Sequence, residues 1–568
     1  MKENNNKLNN TAMQVLLKAL QNVYKNNFVI ASCGNLEQGF YVDFKTDDSV
    51  STNDFDKIEK AMSKVASSGE RIEKIASLSN PNKYQKYALE NNKNAICIKI
   101  ANSFENVVNS NEIETNVNQV KYFALVNVSG SYWLNDTKNE QLTRISGVCF
   151  ETQKELDDWK KYIIELRESD HRKIGQEMEI FAIDNDIGQG LPIWLPNGEI
   201  IKKEIKKFLW DVFTKEKFMF VDTPILGSKE LYIKSGHWDH YKENNFPPLV
   251  MDNETYMLRP MTCPHHLTFY NLKPHSYKEL PFCICEDSKL HRYEASGGLI
   301  GLERVRFMEL FDVHIIAMHS QIEEVIFKLN SILNSVHKKL NIKIDRIDLS
   351  LRDKNDTEKY HQDDKMWNTS ENELRRILKK LNYQAVEIEG EAAFYGPKID
   401  FQARSNLGKM ITISTIQLDF LLPERFQLEY IDKDNSKQRP VLIHLGIIGT
   451  YERFIATLLS QTKGNLPFWL APVQVTIIPI NNESHLKYCN EIGEELTKNK
   501  IRYKINDSFD RLAKKVRDSQ IAKVPLEVII GENEVSKKQV TYRKHGQKES
   551  VTVSIKQFID LLNSLKNN

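Results

Sequence analysis

Cys263, His314 and His444 are the side chains of this chain best suited to hold a soft divalent metal. They sit in three separate strings, Met261-Thr262-Cys263-Pro264, Phe311-Asp312-Val313-His314 and Leu442-Ile443-His444. One thiolate and two imidazoles form a three-ligand zinc set that leaves a fourth position open for water or substrate. No C-x-x-C or H-x-x-x-H spacing ties the three together, and each taken singly is more often a satisfied core residue. His265 and His266, beside Cys263, offer either a competing ligand or a contact to substrate or to the back of the metal. Cys283 and Cys285 lie two apart, which suits a second metal site or, more commonly, a half-buried strand.

A second group is basic. Arg292 and Glu294, two apart, are expected on one face of a strand. There the guanidinium could grip a phosphate while the carboxylate accepts from an amino group. The alternative is a surface ion-pair ladder. Arg304-Val305-Arg306 follows, and Arg453 comes late in the chain. Gly297, Gly298 and Gly301 lack the G-x-x-x-x-G-K-[ST] order of a phosphate loop and are read as a hairpin turn.

The elements that must position these groups follow from periodicity. Val15, Leu16, Ala19, Leu20 and Val23 recur at helical spacing over 11–24. Alternating runs at 39–44 and 122–128 read as strands, and 155–167 reads as a helix. The charged stretch 168–173 marks a boundary. Pro196-Asn197-Gly198 reads as a turn before an amphipathic helix carrying Ile201, Ile205, Phe208, Leu209, Val212 and Phe213. Gly464-Asn465-Leu466-Pro467 marks a second boundary. Beyond it, strands at 473–480 and 526–530 alternate with helices, so a small α/β domain with a mainly parallel sheet is expected.

The totals bound the partners. A chain of 568 residues, with 40% hydrophobic and 27% charged residues, has room for several cored domains. A net charge of +1 means that a polyanion would be held by local patches, not by a global field. Seven scattered cysteines show no disulfide framework, which suits a reducing cytoplasm. The polar, Asn-rich N-terminus lacks the apolar stretch of a signal peptide, and no run is long enough for a membrane span.

Taken together, these segments resemble threonyl-tRNA synthetases, a family of class II aminoacyl-tRNA synthetases. The strings that carry the resemblance are Gly236-His237-Trp238-Asp239, Met261-Thr262-Cys263-Pro264, His291-Arg292-Tyr293-Glu294, Arg304-Val305-Arg306, Asp312-Val313-His314, Ala393-Phe394-Tyr395-Gly396-Pro397-Lys398, Gln417-Leu418-Asp419-Phe420, Gly449-Thr450-Tyr451-Glu452-Arg453-Phe454 and Trp469-Leu470-Ala471-Pro472. The resemblance implies an α+β and α/β multidomain chain. Residues 1–167 would be an α+β editing-like domain. Residues 168–466 would be a class II catalytic domain, an antiparallel sheet flanked by helices, and 467–568 an α/β anticodon-binding domain.

It also implies an activity: ATP-dependent conversion of L-threonine to threonyl-adenylate, then transfer to the 3′ end of tRNA(Thr), by a cytoplasmic homodimer. Pro224 would lie in the dimer-interface motif. Arg292 would hold the α-phosphate and the amino-acid carboxylate, Glu294 would read adenine, and Arg304 and Arg453 would grip the γ-phosphate of ATP carrying Mg²⁺. Cys263, His314 and His444 would bind one Zn²⁺ per subunit, on which threonine chelates through amine and hydroxyl. Asp312, Tyr395, Gln417 and Met261 would complete that pocket. His237 matches a histidine implicated in transfer to tRNA, and Glu534, Arg543, Lys523 and Phe509 fall at or near anticodon-reading positions. A metal that demands a hydroxyl solves a discrimination problem, because an apolar pocket separates valine from threonine by only ~10²-fold. Serine keeps both groups, and its missing methyl is worth about 1–3 kcal/mol. The family therefore commonly adds an editing domain.

The chain departs from the family there. Asn10 and Gln14 occupy the positions of an editing H-x-x-x-H pair, and no histidine precedes His171. The segment expected to carry an editing cysteine and histidine reads Asn111-Glu112-Ile113-Glu114-Thr115. Amides cannot serve as a general base near neutral pH, so a degenerate domain that leaves Ser-tRNA(Thr) unhydrolysed is expected. The domain that precedes editing in many members is also expected to be missing. In the core, Thr262 replaces an Asn, Leu445-Gly446 replace Arg-Ala, and Met308-Glu309-Leu310 replace a string containing an aromatic residue. At the C-terminal domain Lys523 stands for Arg, losing the bidentate fork, and Phe509 could either stack on a base or pack in the core. Rival readings are a catalytically dead synthetase-like regulator, a zinc hydrolase, or a proline or serine synthetase. The first would not keep this whole set of arginines and ligands, the second would need a carboxylate or histidine base beside metal-bound water and no C-terminal domain, and the third does not explain Cys263, His314 and His444 together.

Overall fold

The computed structural model describes residues 6–25, 27–36, 38–101, 103–110, 112–136, 138–405 and 408–567. Asn111, at the head of the expected editing segment, lies outside the described residues. The chain folds into two compact units, Met1–Glu165 and Leu166–Asn568.

The first unit is built around helix α1 (Asn6–Val23), whose residues from Leu8 to Leu20 are all buried. Its apolar side packs on Phe40, Val42, Phe44, Ile98 and Ile145. A four-stranded antiparallel sheet (Val29–Asn35, Phe40–Lys45, Gln141–Phe150, Tyr122–Tyr132) and a three-stranded one (Ile72–Ile75, Ile96–Ile100, Phe104–Val108) supply that core. Because α1 is enclosed, its polar residues Asn9, Asn10, Thr11 and Gln14 are buried too and must find partners inside.

The second unit holds an eight-stranded sheet. Helix α2 (Pro196–Lys215) covers it with Ile201, Ile205, Leu209 and Phe213 buried. The expected turn at Pro196-Asn197-Gly198 is instead the first turn of this helix, with proline at a position where its missing N–H costs nothing. The charged stretch at 168–173 likewise holds a helix start, His171–Glu177 capped by Asp170. Helix α3 (Cys263–Tyr270) precedes strands β1 (Phe282–His291) and β2 (Phe307–Ala317). Strands β3 (Lys398–Arg404), β4 (Met410–Asp419) and β5 (Val441–Thr450) follow, then helix α4 (Tyr451–Thr462).

The sheet order is Met219–Phe220, β1, β2, β5, β4, β3, Arg346–Leu351, Val386–Glu389. Its six central strands pair antiparallel, and only the two edge pairings are parallel. Arg292 and Glu294 do not share a strand face: β1 ends at His291, and both residues sit on the loop that follows. The glycines at 297 and 298 close a short 3-10 turn within that loop, not a tight hairpin.

The C-terminal part has its own core around Val475, Ile477, Leu526, Val528 and Phe558. Its sheet runs Tyr503–Ile505, Val475–Pro479, Leu526–Ile530, Gln539–Lys544, Ser550–Ser554. Two pairings are parallel and two antiparallel, so the expectation of a mainly parallel sheet is corrected. The last two strands form a hairpin, which needs no crossover helix.

Candidate functional site

Strand register makes the site. His314 on β2 pairs with His444 on β5, and His444 pairs with Gln417 on β4. Side chains directly opposite on neighbouring strands share a face, so three adjacent strands lay His314, His444 and Gln417 in one row. Asp312 lies two residues before His314, on the same side. Cys263 enters from the first turn of α3. Its Sγ and one ring nitrogen from each histidine all lie within 4.8 Å of one another, and all three residues are buried. Among the described residues this is the one cluster of its kind.

The backs of the two rings decide which nitrogens face inward. His444 Nε2 is 3.0 Å from Asp419 Oδ2, which leaves Nδ1 free. Asp419 is itself held, its Oδ1 accepting from the N–H groups of Leu421 and Leu422. His314 Nδ1 is 2.8 Å from His266 Nδ1, so its Nε2 faces His444 Nδ1 at 2.9 Å. Donors around a tetrahedral zinc at 2.0–2.3 Å would stand about 3.3–3.8 Å apart, so a small opening of the two rings accommodates the ion. The donor set, one sulfur and two imidazoles, suits zinc over magnesium or calcium.

Burial pushes the Cys263 thiol well above its ordinary range, and Asp312 and Asp419 add to this. A cation must therefore expel the thiol proton as it binds. His314 is held neutral by burial, as a ligand requires. Burial raises the Asp312 carboxyl, which lies 4.0 Å from His314 Nε2. Tyr395 stacks on His444 at 5.1 Å between centroids and donates to Gln417 Oε1 at 3.2 Å. His237 is fully buried and pushed down to about 3 by that burial. It bonds Ser235 Oγ at 2.8 Å and lies 3.7 Å from Cys263 Sγ.

The arginines stand beside this pocket. Arg292 donates to Met261 Sδ at 2.8 Å and to Pro260 O at 3.2 Å, so the two predicted residues touch. Arg304 pairs with Glu294 at 2.8 Å. Arg453, in the first turn of α4, donates from Nε to the carbonyl of Glu303 at 3.1 Å. The loop that carries Arg304 is tied down from below, for the N–H of Leu302 donates to His171 Nε2 at 3.2 Å.

Asp419 and Glu286 have no role assigned from sequence, and His266, open there between a competing ligand and a contact to substrate or to the back of the metal, lies against the far nitrogen of His314. Asp419 lies two residues after Gln417 on the same strand, a signal available in the alternation. His266 lies three residues after Cys263 on a helix, which puts both on one face. His265 points elsewhere, to Tyr232 OH at 2.9 Å. Half-buried Cys283 and fully buried Cys285 bond the backbone carbonyls of Pro281 and Met219.

In the first unit, Asn10 donates to Glu112 O at 2.7 Å and accepts from Asn35 at 3.1 Å. Gln14 accepts from Asn106 Nδ2 at 2.8 Å and faces Cys33 Sγ at 3.8 Å. Burial lifts the Cys33 thiol to about 11, so it is not a thiolate near neutral pH. Near these groups is an open cavity of about 470 Å³ lined by Cys33, Tyr41, Gln85, Asn106 and Trp133.

In the C-terminal part, Phe509 is 102% exposed, which excludes core packing. Glu534 accepts from Thr541 Oγ1 at 2.7 Å and from the N–H of Gly531 at 2.9 Å. Arg543 is paired with the buried carboxylate of Glu527. Lys523 sits in the left-handed region at φ 54°.

Residues 248–462 match the tRNA synthetase class II core domain (G, H, P, S and T), and residues 474–565 match an anticodon binding domain. Threonine–tRNA ligase of Ureaplasma parvum serovar 3 is 46% identical over 568 residues, covering 98% of both chains. That of Geobacillus sp. is 40% identical, covering 98% of this chain and 88% of its own. Threonine–tRNA ligase 1 of Bacillus subtilis is 38% identical, covering 97% and 87%. Among solved structures, the RNA binding domain of threonyl-tRNA synthetase from Cryptosporidium parvum superposes with a TM-score of 0.65 at 33% identity, over 70% of this chain and 98% of that one. Prolyl-tRNA synthetase of Giardia lamblia, at 18% identity and TM-score 0.57 over 71% of this chain and 79% of its own, shares the fold.

Proposed function

Because this chain belongs to the threonine–tRNA ligase family, we propose that the pocket at the β2–β5–β4 row selects L-threonine and that the arginines beside it hold ATP. The protein is an aminoacyl-tRNA ligase. The observation that carries the proposal is the convergence of Cys263, His314 and His444, buried and within 4.8 Å, beside Asp312, Tyr395 and Gln417.

Cys263, His314 and His444 would hold one Zn²⁺, which when bound would supply a Lewis acid for the amine and hydroxyl of threonine. Asp312 and Gln417 orient the substrate, and Tyr395, stacked on His444, shapes the wall. Met261 sets Arg292 where it can reach the amino-acid carboxylate and the α-phosphate, stabilising charge that develops in transfer. Glu294 reads adenine, and Arg304 and Arg453 bind the γ-phosphate of ATP with its Mg²⁺. In this geometry Arg304 and Glu294 satisfy each other until a nucleotide separates them. His237, neutral and next to Cys263, serves transfer to the tRNA 3′ end. Threonine-dependent exchange of pyrophosphate into ATP, with zinc analysis of the same sample, tests this reading. Exchange that proceeds equally with valine, or protein free of zinc at full activity, would defeat it.

The domain bounds we favour are 1–167, 168–466 and 467–568. We read the first as an editing-like domain without editing chemistry, supported by amides at Asn10 and Gln14 and by the protonated Cys33 beside them. Preformed Ser-tRNA(Thr) should survive incubation with the protein at the enzyme-free rate; faster deacylation would count against this. Phe509, with Glu534, Arg543 and Lys523, reads the anticodon, supported by the full exposure of the ring. A homodimer is supported by exposed Ile225, Leu226, Leu249, Val250 and Met251 near Pro224 on and beside the sheet of Leu226–Ser228, Leu249–Met251 and Glu254–Leu258. Sedimentation equilibrium distinguishes it from a monomer. We place the protein in the cytoplasm, in keeping with its seven free cysteines. Among the described residues no helix is long and apolar enough to cross a membrane.

A further inference from the structure

Behind the metal site lies a chain of buried polar groups that the proposed reaction does not use. His266 is 0% exposed. Its Nδ1 lies 2.8 Å from His314 Nδ1 and its Nε2 lies 3.1 Å from Glu286 Oε2. Glu286, 1% exposed, is held on both oxygens. Arg259 Nη2 donates to Oε1 at 2.7 Å, and Thr223 Oγ1 donates to Oε2 at 2.7 Å. Arg259, also 1% exposed, is anchored by Lys289 O at 2.8 Å and Thr223 Oγ1 at 2.6 Å.

Only one arrangement of protons satisfies every member of this chain while leaving a ligand for a metal. The ionised Glu286 beside Arg259 is an acceptor, so His266 Nε2 carries a proton. With its proton on Nε2, His266 offers a bare Nδ1, which accepts from His314 Nδ1–H. The remaining nitrogen of His314, Nε2, is bare and faces the site. His444 is fixed by the shorter version of the same device, Asp419 bonding its Nε2 directly. We propose that His266 and Glu286 are positioning residues that lock His314 into the tautomer and orientation that bind metal, through a carboxylate–imidazole–imidazole relay. This rests on the reading of Cys263, His314 and His444 as a metal site.

The relay has a property that a merely packed histidine lacks. An amide at position 266 could reproduce it, accepting from His314 through its oxygen and donating to Glu286 through its nitrogen, whereas an alkyl group of similar size could do neither. Partners behind a metal-bound histidine typically contribute 10–100-fold to metal affinity.

The test uses the full chain as wild type, His266→Leu and His266→Gln. Each is stripped of metal and titrated with Zn²⁺ against a chromophoric chelator, with thermal unfolding of the same samples. His266→Leu should bind Zn²⁺ about 10–100-fold more weakly, and its KM for threonine should rise at limiting zinc while its KM for ATP stays unchanged. His266→Gln should recover most of the affinity. Equal zinc affinity in wild type and His266→Leu overturns the relay, as does a Gln variant no better than Leu. A second measurement needs no variant. In ¹⁵N-histidine spectra of the zinc-loaded wild type, His314 should be protonated at Nδ1 and His266 at Nε2. A proton on His266 Nδ1 overturns the relay even if His266→Leu fails to fold. Wild type that takes up no zinc would instead defeat the underlying metal reading, a separate outcome.

Discussion

His171 holds the loop that carries Arg304, and its removal should weaken ATP use specifically. The N–H of Leu302 is buried and donates to His171 Nε2 at 3.2 Å. One residue earlier, Gly301 has φ +46°, and a Cβ there would lie 2.4 Å from the same nitrogen, so the loop is seated directly on the ring. One residue later, the carbonyl of Glu303 accepts from Arg453 Nε at 3.1 Å. His171→Leu leaves a buried N–H without an acceptor, which costs about 1–3 kcal/mol. If ATP binding must restore the loop, that cost appears as a rise in the KM for ATP of about 5- to 140-fold, at 1.4 kcal/mol per decade. His171→Gln offers an oxygen in a similar place and should recover most of the loss. Stability should change with pH as well. Burial pushes the His171 imidazole down to about 4, opposed by Asp170 and aided by Arg172. Its folded value is below the unfolded value of ~6.5. Its contribution is therefore fully present above pH ~6.5 and is lost as the pH falls toward about 4, a difference of about 3 kcal/mol that the Gln variant should not show. Pyrophosphate exchange at varied ATP and at varied threonine separates the two substrates. If Leu and Gln variants raise the KM for ATP equally, or if His171→Leu lowers stability and leaves that KM unchanged, the reasoning fails.

Three other outcomes follow from single contacts. Glu452 is buried with one carboxylate oxygen unpartnered, and burial raises it to about 7; its folded value lies above its unfolded one, so stability is lost as pH rises from about 4.5 through 7, and Glu452→Gln should flatten that loss of about 3 kcal/mol in a denaturant series. Phe509→Ala should weaken tRNA(Thr) binding by about 1–3 kcal/mol, if the ring stacks on a base, with threonine-dependent pyrophosphate exchange unchanged; identical tRNA KM in the two proteins would show that the ring touches no base. Gly396→Ala would place a Cβ 2.0 Å from the backbone oxygen of Leu418, one residue beyond Tyr395 and Gln417 on the two segments of chain. It should therefore raise the KM for threonine and cost about 1–3 kcal/mol of stability, measured by exchange kinetics and thermal unfolding.

What could be read from the sequence was the part that lives on one element. The face of α2 is an example, since Ile201, Ile205 and Leu209 bury as their spacing requires. What a linear reading misjudged was where elements stop: Pro196-Asn197-Gly198 has turn composition, yet proline is also favoured in a first helical turn. Similarly, Arg292 and Glu294 are spaced for a strand, but the strand ends one residue before them. Sheet direction in the C-terminal part was misread because strand–helix alternation predicts parallel pairing only until a hairpin closes the edge.

The proposed metal site sets a stricter limit. His314 and His444 are 130 residues apart, and they meet because β2 and β5 pair in one register among those their patterns would allow. Slipping that register by one residue would turn His444 to the opposite face. Which nitrogen of His314 faces inward depends on still more distant groups, first His266 on a helix, then Glu286 on β1, then Arg259 and Thr223. No stretch of sequence contains that information, because a tautomer is chosen by whatever the far nitrogen meets. The three-residue spacing of Cys263 and His266 puts the two side chains on one face of helix α3. It could not signal that Cys263 turns to the Cys263–His314–His444 cluster and His266 to the far nitrogen of His314, since that follows from where α3 lies against β1 and β2. The selectivity proposed for this pocket therefore depends on packing between elements as much as on the three ligands themselves. A chain with all three ligands but a hydrocarbon at position 266 would keep the recognisable motif while losing the constraint that makes His314 a ready ligand.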